Sequence, residues 1–129
     1  MATRQVQSQY AYAKYLTTDG KTTAAQTLAT TSVLPIGSII KSVTVRTVVA
    51  VAGTAGTTTL QVTVGGISAS SAIAMNKLDT AGWVVNESGV EDEANVTTTN
   101  AAIGLTIGGA VTSGTTSDLD IIVEYVLVD

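Results

Sequence analysis

The stretch from Val51 to Gly66 reads VAGTAGTTTLQVTVGG, and it decides between two kinds of protein. Its first two glycines, three residues apart, resemble the start of a phosphate-binding loop, which needs a lysine after the second glycine and then a helix. Here Thr57 follows the second glycine, and Val62 and Val64 then alternate with polar residues. Such alternation is typical of a strand with one buried face. The stretch therefore predicts a glycine-containing hairpin connection and a β-strand, with no nucleotide site.

The same alternation recurs along the whole chain, in segments such as RQVQSQYAYAKYLT, SIIKSVTVRTVV and LDIIVEYVLVD. Glycine, serine and aspartate separate these segments, and Asp19-Gly20 is a strong hairpin signal that leads into a second strand predicted over Ala24 to Leu34. About eight strands with turn signals at regular spacing indicate an all-β protein. We expect an antiparallel β-sandwich of the jelly-roll kind.

The composition narrows the class of protein. The 129 residues fit one domain, and only 12% of them are charged, about half the usual share. This shortfall indicates a surface rich in Thr and Ser, or one partly covered by copies of the same chain. The net charge of −4 and the scattered basic residues make nucleic acid a poor partner. No apolar run approaches a membrane span and no signal peptide is visible, so we expect a soluble chain made in the cytoplasm.

For catalysis, the sequence offers only carboxylates, which could act as a general acid–base pair. It contains neither His nor Cys, which excludes His-based triads and the usual nitrogen and sulfur ligands of metals. Carboxylates cluster in the loop around Glu87 to Glu93 and at Asp118 and Asp120. The acidic loop is interpreted as a solvated face; a Ca²⁺ site is the alternative, although the spacing does not match an EF-hand. We therefore expect no enzyme, no cofactor and no metal site.

Several residues are candidates for a subunit interface. Three tyrosines cluster near the N-terminus, where core packing and interface anchoring are equally good explanations. Two strands, Ile39 to Val51 and Ile121 to Val128, are apolar on both faces, as at a subunit contact. We expect residues 1–15 to form an N-terminal arm or edge strand, and residues 16–129 to form the sandwich domain. The predicted interface residues are Tyr10, Tyr12, Tyr15, Val48, Val51, Ile122 and Val126.

Three segments carry a family resemblance: LPIGSIIKSVTVRTVVAVAGTAGTTTLQVTVGG, LDTAGWVV and AIGLTIGGAVTSGTTSDLDIIVEYVLVD. Together they resemble small β-sandwich virion proteins of tailed bacteriophages, over roughly Leu34 to Asp129. Members of this group are commonly head decoration (cement) proteins and often trimers, and similar short β chains serve in tails and fibres. The N-terminal third of the chain matches less clearly.

The resemblance implies a structural role and supplies no catalytic residues. It implies a capsid decoration protein on the outer surface of the virion, a homotrimer bound to the major capsid protein. The alternatives are a tail or fibre component and a carbohydrate-binding β-sandwich. For a sugar site, an exposed aromatic beside Asp or Asn is usual, and Trp83 with Asn86 is the candidate pair. Trp83 is otherwise expected to plug the core or a sheet edge.

Overall fold

The computed structural model describes residues 8–16, 26–28, 30–50, 58–88, 97–108 and 118–127. Within these ranges the chain forms strands and one short 3₁₀ helix, Met75–Lys77. The strands are β1 (Ser8–Leu16), β2 (Gln26–Thr27), β3 (Thr30–Thr31), β4 (Val33–Leu34), β5 (Ser38–Val49), β6 (Thr59–Val64), β7 (Ile67–Ser68), β8 (Ile73–Ala74), β9 (Val84–Ser88), β10 (Ala101–Gly108) and β11 (Asp118–Leu127).

The strands form two sheets in which every pairing is antiparallel. Sheet A has the order β3-β1-β11-β5-β9, and its longest pairings join β11 to β1 and to β5. Sheet B has the order β2-β10-β6-β7, with β4 also pairing with β10 and β8 with β6. The two sheets pack face to face, so the architecture is the predicted antiparallel β-sandwich.

The order of pairing is that of a jelly roll. The first strand pairs with the last, β1 with β11, and the early strand β2 pairs with β10, the last but one. Further inside the chain, β5 pairs with β9 and β6 with β7. Such nested pairs arise when one long antiparallel hairpin is rolled over into two sheets. This topology confirms the predicted antiparallel β-sandwich of the jelly-roll kind; eight strands form the nested pairs, and β3, β4 and β8 are short additions.

The core lies between the sheets and is built from alternate residues of the long strands. Sheet A contributes Ala11, Ala13, Tyr15, Val43, Val45, Leu119, Ile121 and Val123; sheet B contributes Leu60, Val62, Val64, Ile103, Leu105 and Ile107. Each of these side chains is at most a few per cent exposed. Burial of apolar area at about 25 cal/mol per Å² is the main force that holds the sheets together.

Two tight turns need glycine. Gly65 and Gly66 form the two-residue loop between β6 and β7, with φ of 62° and 82°, which is the backbone of a type I′ hairpin. Between β4 and β5, the amide of Ser38 donates to the carbonyl of Pro35 over 3.3 Å, and Gly37 has φ of 85° at the third position. That geometry is a type II turn, which favours glycine there.

Two expectations about connections require correction. The predicted hairpin at residues 51–57 is wrong, because the flanking strands β5 and β6 lie in different sheets and do not pair. The predicted single strand over Ala24 to Leu34 is also wrong: it is divided into β2 and β4, which join β10, and β3, which joins β1. Alternation reveals which face of a strand is buried but not which strand it pairs with. Asp19-Gly20 and Val51 lie outside the described residues.

Candidate interaction surface

The outer face of sheet A carries most of the predicted interface residues. Directly paired residues of an antiparallel sheet project to the same side, so the register defines rows of neighbouring side chains. One row crosses four strands and contains Tyr12, Ile122, Thr44 and Asn86. None of these four side chains is charged, and the amide of Asn86 donates to the hydroxyl of Thr44 over 2.9 Å.

The two exposed tyrosines of β1 are tethered to carboxylates of β11. The hydroxyl of Tyr10 donates to Oε2 of Glu124 over 3.1 Å, and that of Tyr12 donates to Oδ1 of Asp120 over 2.9 Å. The hydrogen bond to Glu124 raises the pKa of Tyr10, whereas burial and then the bond to Asp120 raise the pKa of Tyr12. Each ring is thus held against the sheet while its face is open, which lowers the entropy lost on contact with a partner.

Lys14 completes this side of the surface. Its Nζ lies 2.6 Å from Oδ1 of Asp118 and 3.2 Å from Oδ1 of Asp120, so the ammonium bridges two carboxylates of the neighbouring strand. The hydrogen bond to Asp118 is the main cause of the raised pKa of Lys14, against the opposing effect of burial. An exposed ion pair stabilises a fold by at most about 1 kcal/mol. Its larger effect here is to fix Asp120, which also accepts from Tyr12.

The structure separates the three N-terminal tyrosines. Tyr10 is 66% exposed and Tyr12 41%, and both lie on the outer face of sheet A. Tyr15 is fully buried between the sheets, so it packs in the chain's own core and is not presented to a partner. Strand parity is the signal that could have shown this, because an odd-numbered residue of β1 faces away from Tyr10 and Tyr12.

Two of the other predicted interface residues also lie on the outer face of sheet A. Ile122, directly opposite Tyr12, is 37% exposed, and Val126, directly opposite Ser8, is half-buried on the same face. Val48 is half-buried near the end of β5, where the register with β11 shifts between Asp118 and Leu119. Val51 lies outside the described residues. One surface, the tyrosine face, therefore contains Tyr10, Tyr12, Ile122 and Val126.

The predicted interface residues did not include the opposite border of sheet A. Trp83 is 55% exposed and Val84 is 59% exposed, at the start of β9. The carbonyl of Trp83 accepts from the amide of Thr47, which attaches this segment to β5. Trp83 was expected to plug the core or a sheet edge; it lies beside the edge strand with its ring open to solvent. The run Trp83-Val84-Val85, apolar and without charge, is the signal that marks this edge.

The described residues offer little for binding a metal ion or a small ligand. They contain no group of three or more His, Cys, Asp or Glu side chains placed to hold a metal ion. A pocket between the sheets at the end near Ile67 and Thr97 has a volume of about 30 Å³, room for about one water molecule and far below the size of a ligand site. No helix in this part of the chain has the length and hydropathy needed to cross a membrane.

Chains in two solved phage capsid structures have a fold similar to that of this chain. No protein-family model matches the sequence, and no curated protein does. Among solved structures, a chain of the cyanophage Pam1 capsid asymmetric unit matches with a TM-score of 0.62 and 22% identity, covering 95% of this chain and 86% of that one. A chain of the acidic stable capsid structure of Helicobacter pylori bacteriophage KHP30 matches with a TM-score of 0.60 and 17% identity, covering 97% and 94%. This chain thus shares its fold, over nearly its full length, with chains of two bacteriophage capsids.

Proposed function

We propose that this chain is a non-enzymatic structural protein of a bacteriophage virion, and specifically a decoration protein of the head. It is made in the host cytoplasm and binds the major capsid protein on the outer surface of the capsid. The observation that carries the proposal is the likeness to capsid chains over 95% and 97% of this chain.

Size and composition also support an accessory subunit. The matched chains are themselves covered to 86% and 94%, so they are about as long as this chain. A single sandwich of 129 residues has one core and two outer faces, which suits a subunit that is added to a shell. Its tethered tyrosines suit contact with another protein, because ordered aromatic side chains are enriched at interfaces.

The proposed decoration protein is a homotrimer. Chains of one kind close into a ring when one surface patch meets a different patch on the next copy. The low charge of the chain and the exposed apolar residues on both borders of sheet A provide two such patches. Light scattering at micromolar concentration is expected to give a mass of about three chains of 13.0 kDa each. A stable monomer would refute the trimer.

A particle inventory tests the function. Heads, tails and complete particles of the phage that encodes this chain are separated on density gradients, and the chain is quantified against the major capsid protein. We expect a fixed ratio in heads and none in isolated tails. Mild chaotrope should release the chain and leave the shell closed, and purified chain should rebind to stripped heads until the original ratio is restored. Presence in tails alone would refute the head assignment.

A carbohydrate-binding module is the second candidate, favoured by the exposed ring of Trp83. Sugar faces stack on such rings, but the amide of Asn86 is already bonded to Thr44 within the chain. The comparison of Trp83→Ala with Tyr10→Ala in a glycan-binding assay tests this candidate. Loss of binding in the Trp83 variant alone would support a tail-fibre or sugar-binding role. Absence of glycan binding by the unmodified chain would exclude it.

A further inference from the structure

Among the described residues, one longer strand on each side of sheet A, β1 and β9, has backbone groups without a strand partner. On one side, β1 pairs with β11 along all of Ser8–Leu16 but with β3 only at Ala13 and Lys14. The amide of Ser32 also donates to the carbonyl of Tyr12, so the open edge of β1 is Ser8–Ala11. On the other side, β9 pairs with β5 and with no second strand in the described part of the chain. Each border therefore presents a row of backbone donors and acceptors.

These borders lack the usual protection of edge strands. Proteins protect such edges with lysine, proline, bulges or very short strands. Sheet B follows this rule, since β2 and β7 at its borders have two residues each. The open edge of β1 contains no charge and no proline, and β9 has five residues with one charge, Glu87. That carboxylate is occupied within the chain, because it accepts from Ser71 and lies 3.9 Å from Nζ of Lys77.

We propose that the open edge of β1 pairs with β9 of a second copy, so that sheet A continues from one subunit into the next. This inference rests on the proposed self-association and names the contact that would close the trimer. Strand direction favours the pairing: adjacent strands of sheet A are antiparallel throughout, so β1 and β9 run in opposite directions. A ring axis along the strands therefore brings them together as an antiparallel pair without reversing any copy.

The side chains at the two edges are complementary when Tyr10 lies opposite Asn86 of the next copy. This register matches the open edge Ser8–Ala11 with residues 85–88 of β9. On the outer side it places Tyr10 beside Asn86, two exposed and uncharged side chains, and on the inner side it places Ala11 beside Val85. No pair of like charges meets in this register, which matters for a chain of net charge −4. The occupant is a second copy because both halves of the contact lie on the same sheet of the same chain.

Cysteine cross-linking tests the pairing, because the chain has no cysteine of its own. The double variant Tyr10→Cys/Asn86→Cys should oxidise into a ladder that stops at a covalent trimer on a non-reducing gel. Three strand spacings, about 14 Å, separate the two positions within one chain, too far for an internal disulfide. Ser8→Cys/Asn86→Cys tests the register shifted by two residues toward the N-terminal end of the open edge. The single variants are the controls and should remain monomeric on the gel.

Each result has a defined meaning. A trimer ladder from either double variant supports the pairing of β1 with β9. Dimers from Asn86→Cys alone would show pairing of β9 with itself and would overturn the inference. No cross-link in either double variant, with a trimer mass in light scattering, would overturn the edge contact but leave the trimer standing. A monomer mass for the unmodified chain would overturn both, and binding to heads would still be decided by the particle inventory.

Discussion

Replacement of Tyr15 by alanine tests whether β1 contributes to the core through Tyr15 and to the surface through Tyr10. Tyr15 is fully buried in the core, whereas Tyr10, five residues earlier on the same strand, is 66% exposed. Truncation of a buried aromatic residue to alanine costs about 3–5 kcal/mol, because both apolar burial and packing are lost. Domains of this size unfold at a cost of about 5–15 kcal/mol, so the loss is a large part of the total.

Thermal unfolding of Tyr15→Ala, Tyr10→Ala and the unmodified chain at one protein concentration measures this effect. We expect the melting temperature of Tyr15→Ala to fall by about 10–20 °C, and that of Tyr10→Ala by no more than about 2 °C. Tyr15→Phe keeps the ring and should lie close to the unmodified chain, within about 1–2 kcal/mol. Equal losses in the two alanine variants would refute the placement of Tyr15 in the core and Tyr10 on the surface.

Four further predictions follow from particular residues. Gly37→Val should destabilise the fold by about 1–3 kcal/mol in denaturant unfolding, because φ of 85° is strained for valine although no atom lies within 4 Å of the added Cβ; an unchanged midpoint would contradict the type II turn. Gly20→Val, in the predicted Asp-Gly hairpin, should cost a similar amount, and no change would disprove that hairpin. The pKa values of Tyr10, Tyr12 and Lys14 are raised, so their protonated forms stabilise the native state at pH values below their ordinary pKa values of 10.0 and 10.5. The unfolding free energy should therefore fall as the pH rises above about 10, and it should fall less steeply in Tyr12→Phe. A flat profile would count against these contacts. Deletion of residues 1–15 should unfold the chain in circular dichroism because it removes Ala11, Ala13 and Tyr15 from the core, whereas deletion of residues 1–7 should not; a folded 1–15 deletion would show a dispensable arm.

The sequence predicted the long strands well because each has at least one continuous apolar face. In β10, Ile103, Leu105 and Ile107 alternate with residues that are less buried or have no side chain, and all three are in the core as expected. The Pro35 to Gly37 turn likewise has a local cause, the positive φ that glycine allows. Strand existence and turn type are decided by neighbours in sequence, so they are visible there.

Strand partners were not visible, because they depend on contacts between distant residues. Nothing in the stretch around Val51 to Gly66 shows that β5 joins β11 and β9 while β6 joins β10. The three strands between Gln26 and Leu34 have two residues each, too few to determine which strand they pair with. As a result, β3 joins sheet A, whereas β2 and β4 join sheet B. The candidate surface had the same limitation: Tyr12 and Ile122 are 110 positions apart and become neighbours only through the pairing of β1 with β11.

The sequence predicts an N-terminal arm or edge strand at residues 1–15, and β1 combines an open edge with a share of the core. Its odd-numbered residues Ala11, Ala13 and Tyr15 enter the core, while Tyr10 and Tyr12 face outward and the backbone of Ser8–Ala11 has an open side. Deletion removes both sets at once, so loss of folding would conceal any loss of association. Substitution separates them by parity: even-numbered positions of β1 should change the oligomer mass with little effect on stability, and odd-numbered positions should change stability first.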